Sequence, residues 1–182
     1  MRLLMPAIAL AVLSTASVAH ADITYNLFTQ TAGPATASGT VTTDGATGVL
    51  GQGDILSYTL TVSDGINTDT FSSPGFIVVA GDTLTATPTG LFFDFSSPDF
   101  AGFIFGDASL SNYLCDAASA ECTGVGPTSP EIGVDGAVYE NAGLSGVVQI
   151  ASAGSATPEP SSLILLGTGL VGIIGAARRR LA

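Results

Sequence analysis

The chain has 182 residues, room for one ordinary domain with accessory segments, and its 15 acidic against four basic residues give a formal charge of −11. All four basic side chains and the single histidine sit near the ends (Arg2, His20, Arg178, Arg179, Arg180), so residues 22 to 157 carry eleven Asp and three Glu with no Lys, Arg or His. That inventory excludes Ser or Cys nucleophiles paired with a His or Lys base, histidine metal sites, arginine clamps for phosphate, and nucleic-acid binding, which rests on cationic side chains.

In chain order, residues 1–21 read as a secretory signal peptide. Arg2 supplies the positive start, Leu3 to Leu13 the apolar stretch, and Ala19-His20-Ala21 the A-x-A cleavage pattern, so the mature chain begins at Asp22. The apolar run is too short for a membrane helix of about 20 residues. Signal peptidase is the partner this segment implies.

Residues 22–156 read as an exported acidic β domain. Tyr58, Leu60 and Val62 alternate with Ser57, Thr59, Thr61 and Ser63, a period of two that separates an apolar from a hydroxyl face. Similar runs occupy Ile23 to Thr29, Gly39 to Thr43, Phe76 to Val79, Thr83 to Thr87, Leu91 to Phe95, Ala101 to Phe105, Ala137 to Glu140 and Val147 to Ala151. Turn signals stand between them: Asp44-Gly45, Asp64-Gly65, Asp135-Gly136, Ser73-Pro74 and Ser97-Pro98. About nine strands without a helical period predict an all-β, antiparallel β-sandwich, with a jelly roll as one variant. The expected core draws on Leu56 or its neighbour Ile55, with Tyr58, Leu60, Val62, Phe76, Val78, Phe93, Phe95, Phe103 and Phe105. Two echoes 24 residues apart, Ser72-Ser73-Pro74-Gly75-Phe76 and Ser96-Ser97-Pro98-Asp99-Phe100, read as equivalent turns leading into strands.

Cys115 and Cys122 enclose six residues and, in an oxidising compartment, are expected to form one short disulfide. A redox role is the rival; it lacks both the C-x-x-C spacing and a nearby base. No cofactor is expected. Calcium is the one ion the acids could hold, with Asp64 and Asp69, or Asp94, Asp99 and Asp107, as ligands, although no loop has EF-hand spacing.

Beyond Thr157-Pro158-Glu159-Pro160-Ser161, the stretch from Leu163 to Ala177 carries no charge and is followed at once by Arg178, Arg179 and Arg180. Fifteen helical residues span about 22 Å, so a transmembrane helix over about 162–177 needs the flanking serines and snorkelling arginines to cross a bilayer core of about 30 Å. The arginines place the C-terminus in the cytoplasm. The two prolines keep the preceding segment extended and short of donors, open to a processing enzyme. A plain linker before a permanent anchor is the alternative.

The ordered triplet of Pro158-Glu159-Pro160, a short glycine-rich apolar helix and a terminal arginine cluster resembles the PEP-CTERM sorting domain of Gram-negative bacteria, over residues 157–182. The family's motif opens with Val, where this chain has Thr157. The resemblance implies a transient inner-membrane anchor, recognition of Pro158, Glu159 and Pro160 by an exosortase-like membrane transpeptidase, and release to the cell surface or beyond it. It further implies association with exopolysaccharide or biofilm matrix, in a structural or adhesive, non-catalytic role. A glycan- or small-ligand-binding module, with Tyr25, Tyr113 or Tyr139 as exposed contacts, is the second reading. A carboxylate-pair glycoside hydrolase using acids such as Asp94 and Asp107 is the third.

Overall fold

A computed structural model describes residues 21–97, 101–118, 122, 130–141 and 143–154. They form thirteen strands: β1 Ile23–Ala32, β2 Ala35–Thr43, β3 Gly48–Val49, β4 Ile55–Ser63, β5 Thr68–Ser72, β6 Phe76–Ala80, β7 Leu84–Thr87, β8 Gly90–Asp94, β9 Gly102–Gly106, β10 Tyr113–Ala117, β11 Glu131–Val134, β12 Ala137–Glu140 and β13 Val147–Ala153. One 3-10 turn, Gln52–Asp54, precedes β4, and no α-helix occurs among the described residues.

The strands make two antiparallel sheets, one of eight in the order β3-β7-β8-β13-β1-β2-β4-β5 and one of five in the order β12-β11-β10-β9-β6. Their inner faces meet in one core. Tyr58, Leu60, Val62 and Phe93 of the larger sheet join Phe103, Phe105, Leu114 and Ile132 of the smaller. Aromatic rings link the two sheets, with centroids 5.5 Å apart for Phe93 and Phe103 and 5.3 Å apart for Tyr58 and Phe105. Phe93 of β8 and Phe103 and Phe105 of β9 thus fill the core, while Phe92 lies on the other face of its strand.

Each of the nine expected runs coincides with a strand, with Thr83, Phe95 and Ala101 one residue outside. The four strands not foreseen each lack the alternating signature. In β10 (YLCDA) and β11 (EIGV) every residue is buried, so the contrast between the two faces vanishes. The polar β5 is a sheet edge, and β3 has two residues. The paired echoes acquire a common structural place: both stretches follow a strand of the eight-stranded sheet and lead into one of the five-stranded sheet, β5 to β6 and β8 to β9. Pro98, Asp99 and Phe100 themselves lie outside the described residues.

The structure corrects the core at β6. Phe76 is exposed and Val78 only half-buried, while Ile77 and Val79 pack against the core. The reason is register: Ile77 lies opposite Phe105 and Val79 opposite Phe103, and directly opposed residues share a face. FIVVA is apolar at every position, so its sequence could not tell the faces apart.

Of the two candidates at the start of β4, Ile55 is buried and Leu56 is exposed. A bulge there, with Thr42 opposite Ser57 but Thr43 opposite Ile55, turns both Ile55 and Tyr58 inward despite their odd spacing. At the β11–β12 hairpin, Asp135 and Gly136 have φ of 50° and 79°, the paired positive values of a type I′ turn. That turn fixes Val134 opposite Ala137.

These burials separate two substitutions by magnitude. Phe103→Ala, which empties a fully buried site, is expected to cost about 3–5 kcal/mol in urea unfolding. Phe76→Ala, at an exposed edge position, is expected to cost about 1 kcal/mol or less. Similar costs for the two would contradict the assigned face of β6.

Candidate functional site

The first and last strands of the described domain are brought together by pairing. β1 begins one residue after Asp22, and β13 runs antiparallel beside it with Tyr25 opposite Ala153. The Gly154 amide then donates to the Thr24 carbonyl at 2.7 Å, and the Ala153 amide donates to the Thr89 carbonyl at 2.9 Å. The chain therefore leaves the domain from between two neighbours, four residues before Pro158. Ala21 and Asp22 stand next to that exit. Ala19, with the rest of the signal segment, lies outside the described residues, as do Pro158, Glu159, Pro160, the expected span near 162–177 and Arg178, Arg179 and Arg180. No helix among the described residues is long and apolar enough to cross a membrane.

The expected disulfide is present, joining Cys115 to Cys122 with their Cα atoms 6.0 Å apart. Cys115 lies on β10 opposite Glu131 of β11. The bond thus ties the chain after β10 back to the smaller sheet.

Of the candidate acids, Asp64, Asp94 and Asp107 are each bonded to donors of their own loop. Asp64 accepts the amides of Ile66 and Asn67 in the β4–β5 turn, and the Tyr139 hydroxyl at 3.0 Å. Those amides, Asn67 first, hold its pKa below the usual carboxylate value. Asp69 lies on β5 opposite Val62. Asp94 accepts the Ser96 hydroxyl and amide, which lower its pKa.

Asp107 organises the loop between β9 and β10. It accepts the amide and hydroxyl of Ser109, the amide of Ser111, and the amide and side-chain nitrogen of Asn112. Burial pushes its pKa up, and these donors outweigh burial, so its carboxyl ends below the usual range. Asp99 lies outside the described residues. Among the described residues no three His, Cys, Asp or Glu side chains gather where they could hold a metal ion. Asp94 and Asp107 are both biased towards the ionised form, whereas a glycosidase acid must keep its proton.

The tyrosines also differ from the expected exposed contacts. Tyr25 is fully buried, its hydroxyl donating to the Thr87 carbonyl, and Tyr113 is buried with its hydroxyl on Glu131. Tyr139 is partly buried against the core and bonded to Asp64. The reason is position: Tyr25 faces the core between the sheets, and Tyr113, opposite Gly106 and Gly133 on the face of its sheet away from Leu114, is covered as well, which an isolated tyrosine in a sequence does not reveal.

Two buried carboxylates were not singled out by sequence. Asp116 and Glu131 are each fully buried. The Gln30 amide donates to Asp116 at 2.9 Å, across from β1 to β10. A bulge between Leu27 and Gln30 turns Gln30 inward, where simple alternation from Leu27 would leave it facing out. Glu131 accepts the Tyr113 hydroxyl, and the Tyr113 ring lies over Gly133, where a Cβ would come within 2.2 Å of it. Burying a carboxylate is costly unless donors meet it. With no basic residue in the domain, amide and phenol donors take that part.

The class defined by these features is an acidic all-β domain, closed by the last strand among the described residues and followed in sequence by a C-terminal segment. Residues 156–180 of that segment match the family model of the PEP-CTERM protein-sorting motif, so the chain carries this motif. No curated protein and no solved structure matches the chain.

The Asp107 loop yields a pH prediction. A carboxyl with a lowered folded pKa adds stability above its unfolded value, about 3.9. That stability is lost as pH falls through the folded value. Asp107→Asn is therefore expected to flatten the decline in urea midpoint between neutral pH and pH 3. An unchanged slope would show that the loop's bonds do not bear on acid stability.

Proposed function

We propose that this chain is an exported, non-catalytic protein of the cell surface or extracellular matrix, delivered through exosortase-type processing of its tail. The observation that carries the reading is the match of residues 156–180 to the PEP-CTERM protein-sorting motif, a signal for export and membrane-anchored sorting. In this reading residues 1–21 are a signal peptide removed before Asp22. Residues of about 162–177 cross the inner membrane, with Arg178, Arg179 and Arg180 in the cytoplasm. Pro158, Glu159 and Pro160 are the segment an exosortase reads, a substrate motif without catalytic duty.

The mature product is then a sandwich-like acidic domain that has lost every basic side chain with its two ends. Its residue inventory supports a non-catalytic role, because residues 22–157 contain no His, Lys or Arg to activate a nucleophile or bind phosphate. A structural or adhesive role in exopolysaccharide fits such a domain if cations bridge its acids to an acidic polymer, since direct contact would set like charges together.

Mass spectrometry of the native protein tests the sorting reading. The expected product begins at Asp22 and lacks Arg178 to Arg180, while Glu159→Ala accumulates the form with its tail. A mature wild-type protein that keeps Arg178 to Arg180 would establish a permanent anchor instead.

A further inference from the structure

Both membrane-directed ends leave the domain from one end of the eight-stranded sheet. Ile23 lies opposite Thr43, Thr43 opposite Ile55, Tyr25 opposite Ala153, and Gly90 opposite Ser152. The start of β1, the end of β2, the starts of β4 and β8 and the end of β13 therefore share that edge. The other edge holds the β1–β2 turn after Ala32, the β4–β5 turn after Ser63, and the pairing of Asp94 with Val147. A ten-residue strand such as β1 puts the two edges about 30 Å apart.

The chain on either side is short. Only Asp22 separates the expected signal cleavage point from β1. Between Gly154 and the expected membrane span lie residues 155–161, which reach at most about 25 Å when fully extended. Such a tether is shorter than the domain is long.

We propose that the edge formed by Asp22, Thr89 and Gly154 faces the membrane surface while the tail is in place, and that the opposite edge, with the β1–β2 and β4–β5 turns, points away. The inference rests on the sorting reading, which supplies the membrane segment. It assigns the outward turns, with Ile66 91% exposed at the tip of one, as the part of the anchored precursor that other molecules can reach.

The test uses the chain from Asp22 to Ala182 with Glu159→Ala, in phospholipid vesicles containing a lipid whose headgroup carries a nitroxide. A fluorophore is attached at Thr89→Cys or, separately, at Ile66→Cys, with the native disulfide intact. Both positions are exposed, and Asp22→Cys is a second label for the near edge. Quenching at Thr89 and Asp22 is expected to exceed that at Ile66 at least threefold. Equal quenching, or stronger quenching at Ile66, in protein that sediments with the vesicles overturns the orientation. Protein that stays in the supernatant overturns the membrane-anchored reading itself, and the orientation falls with it.

Discussion

The larger sheet depends on β13 being hydrogen-bonded on both sides. It pairs with β1 through Tyr25, Asn26 and Leu27 and with β8 through Leu91, Phe92 and Phe93. Without it the eight-stranded sheet would separate into β3-β7-β8 and β1-β2-β4-β5, each with a new unpaired edge. Ile150 and Ala151 are both buried, because a bulge between Gln149 and Ala151 turns successive residues inward. The strand that completes the fold is thus the last one before the sorting segment. Among the described residues the sheet closes only once residue 153 is available.

A second constraint is the absence of any base in the domain. Fourteen acids share residues 22–157 with no Lys, Arg or His, and Asp64, Asp94, Asp107, Asp116 and Glu131 draw on neutral donors. At the surface, Asp64, Asp94 and Asp107 draw amides and hydroxyls of their own loops around them, which rigidifies turns where a salt bridge is unavailable. Inside, Asp116 and Glu131 rely on Gln30 and Tyr113. The same shortage that removes most catalytic options therefore shapes how the loops are built.

What could be read in advance followed from how sharply the environments of alternate residues differ. β4 has one wet and one dry face, and Tyr58, Leu60 and Val62 were legible in it. The Asp135-Gly136 pair announced its hairpin through backbone chemistry alone. β10 and β11 are dry on both faces, and they were missed although the cysteine expected to form the disulfide sits in one of them. Bulges hid the rest: Ile55 and Gln30 face inward because the ladder slips by a residue, and such a slip is a property of two strands together. The sorting motif was legible because it is recognised as a linear segment, independently of the fold. The juxtaposition of the domain's two ends was not, since it depends on which strand pairs with β13.

The most direct test of β13 as the closing strand is amide hydrogen exchange on the chain spanning 22–156. The account predicts that residues 147–153 rank with β1 and β2 among the most protected amides, exchanging only when the whole domain opens. Rapid exchange across 147–153 while β1 and β2 stay protected would contradict it.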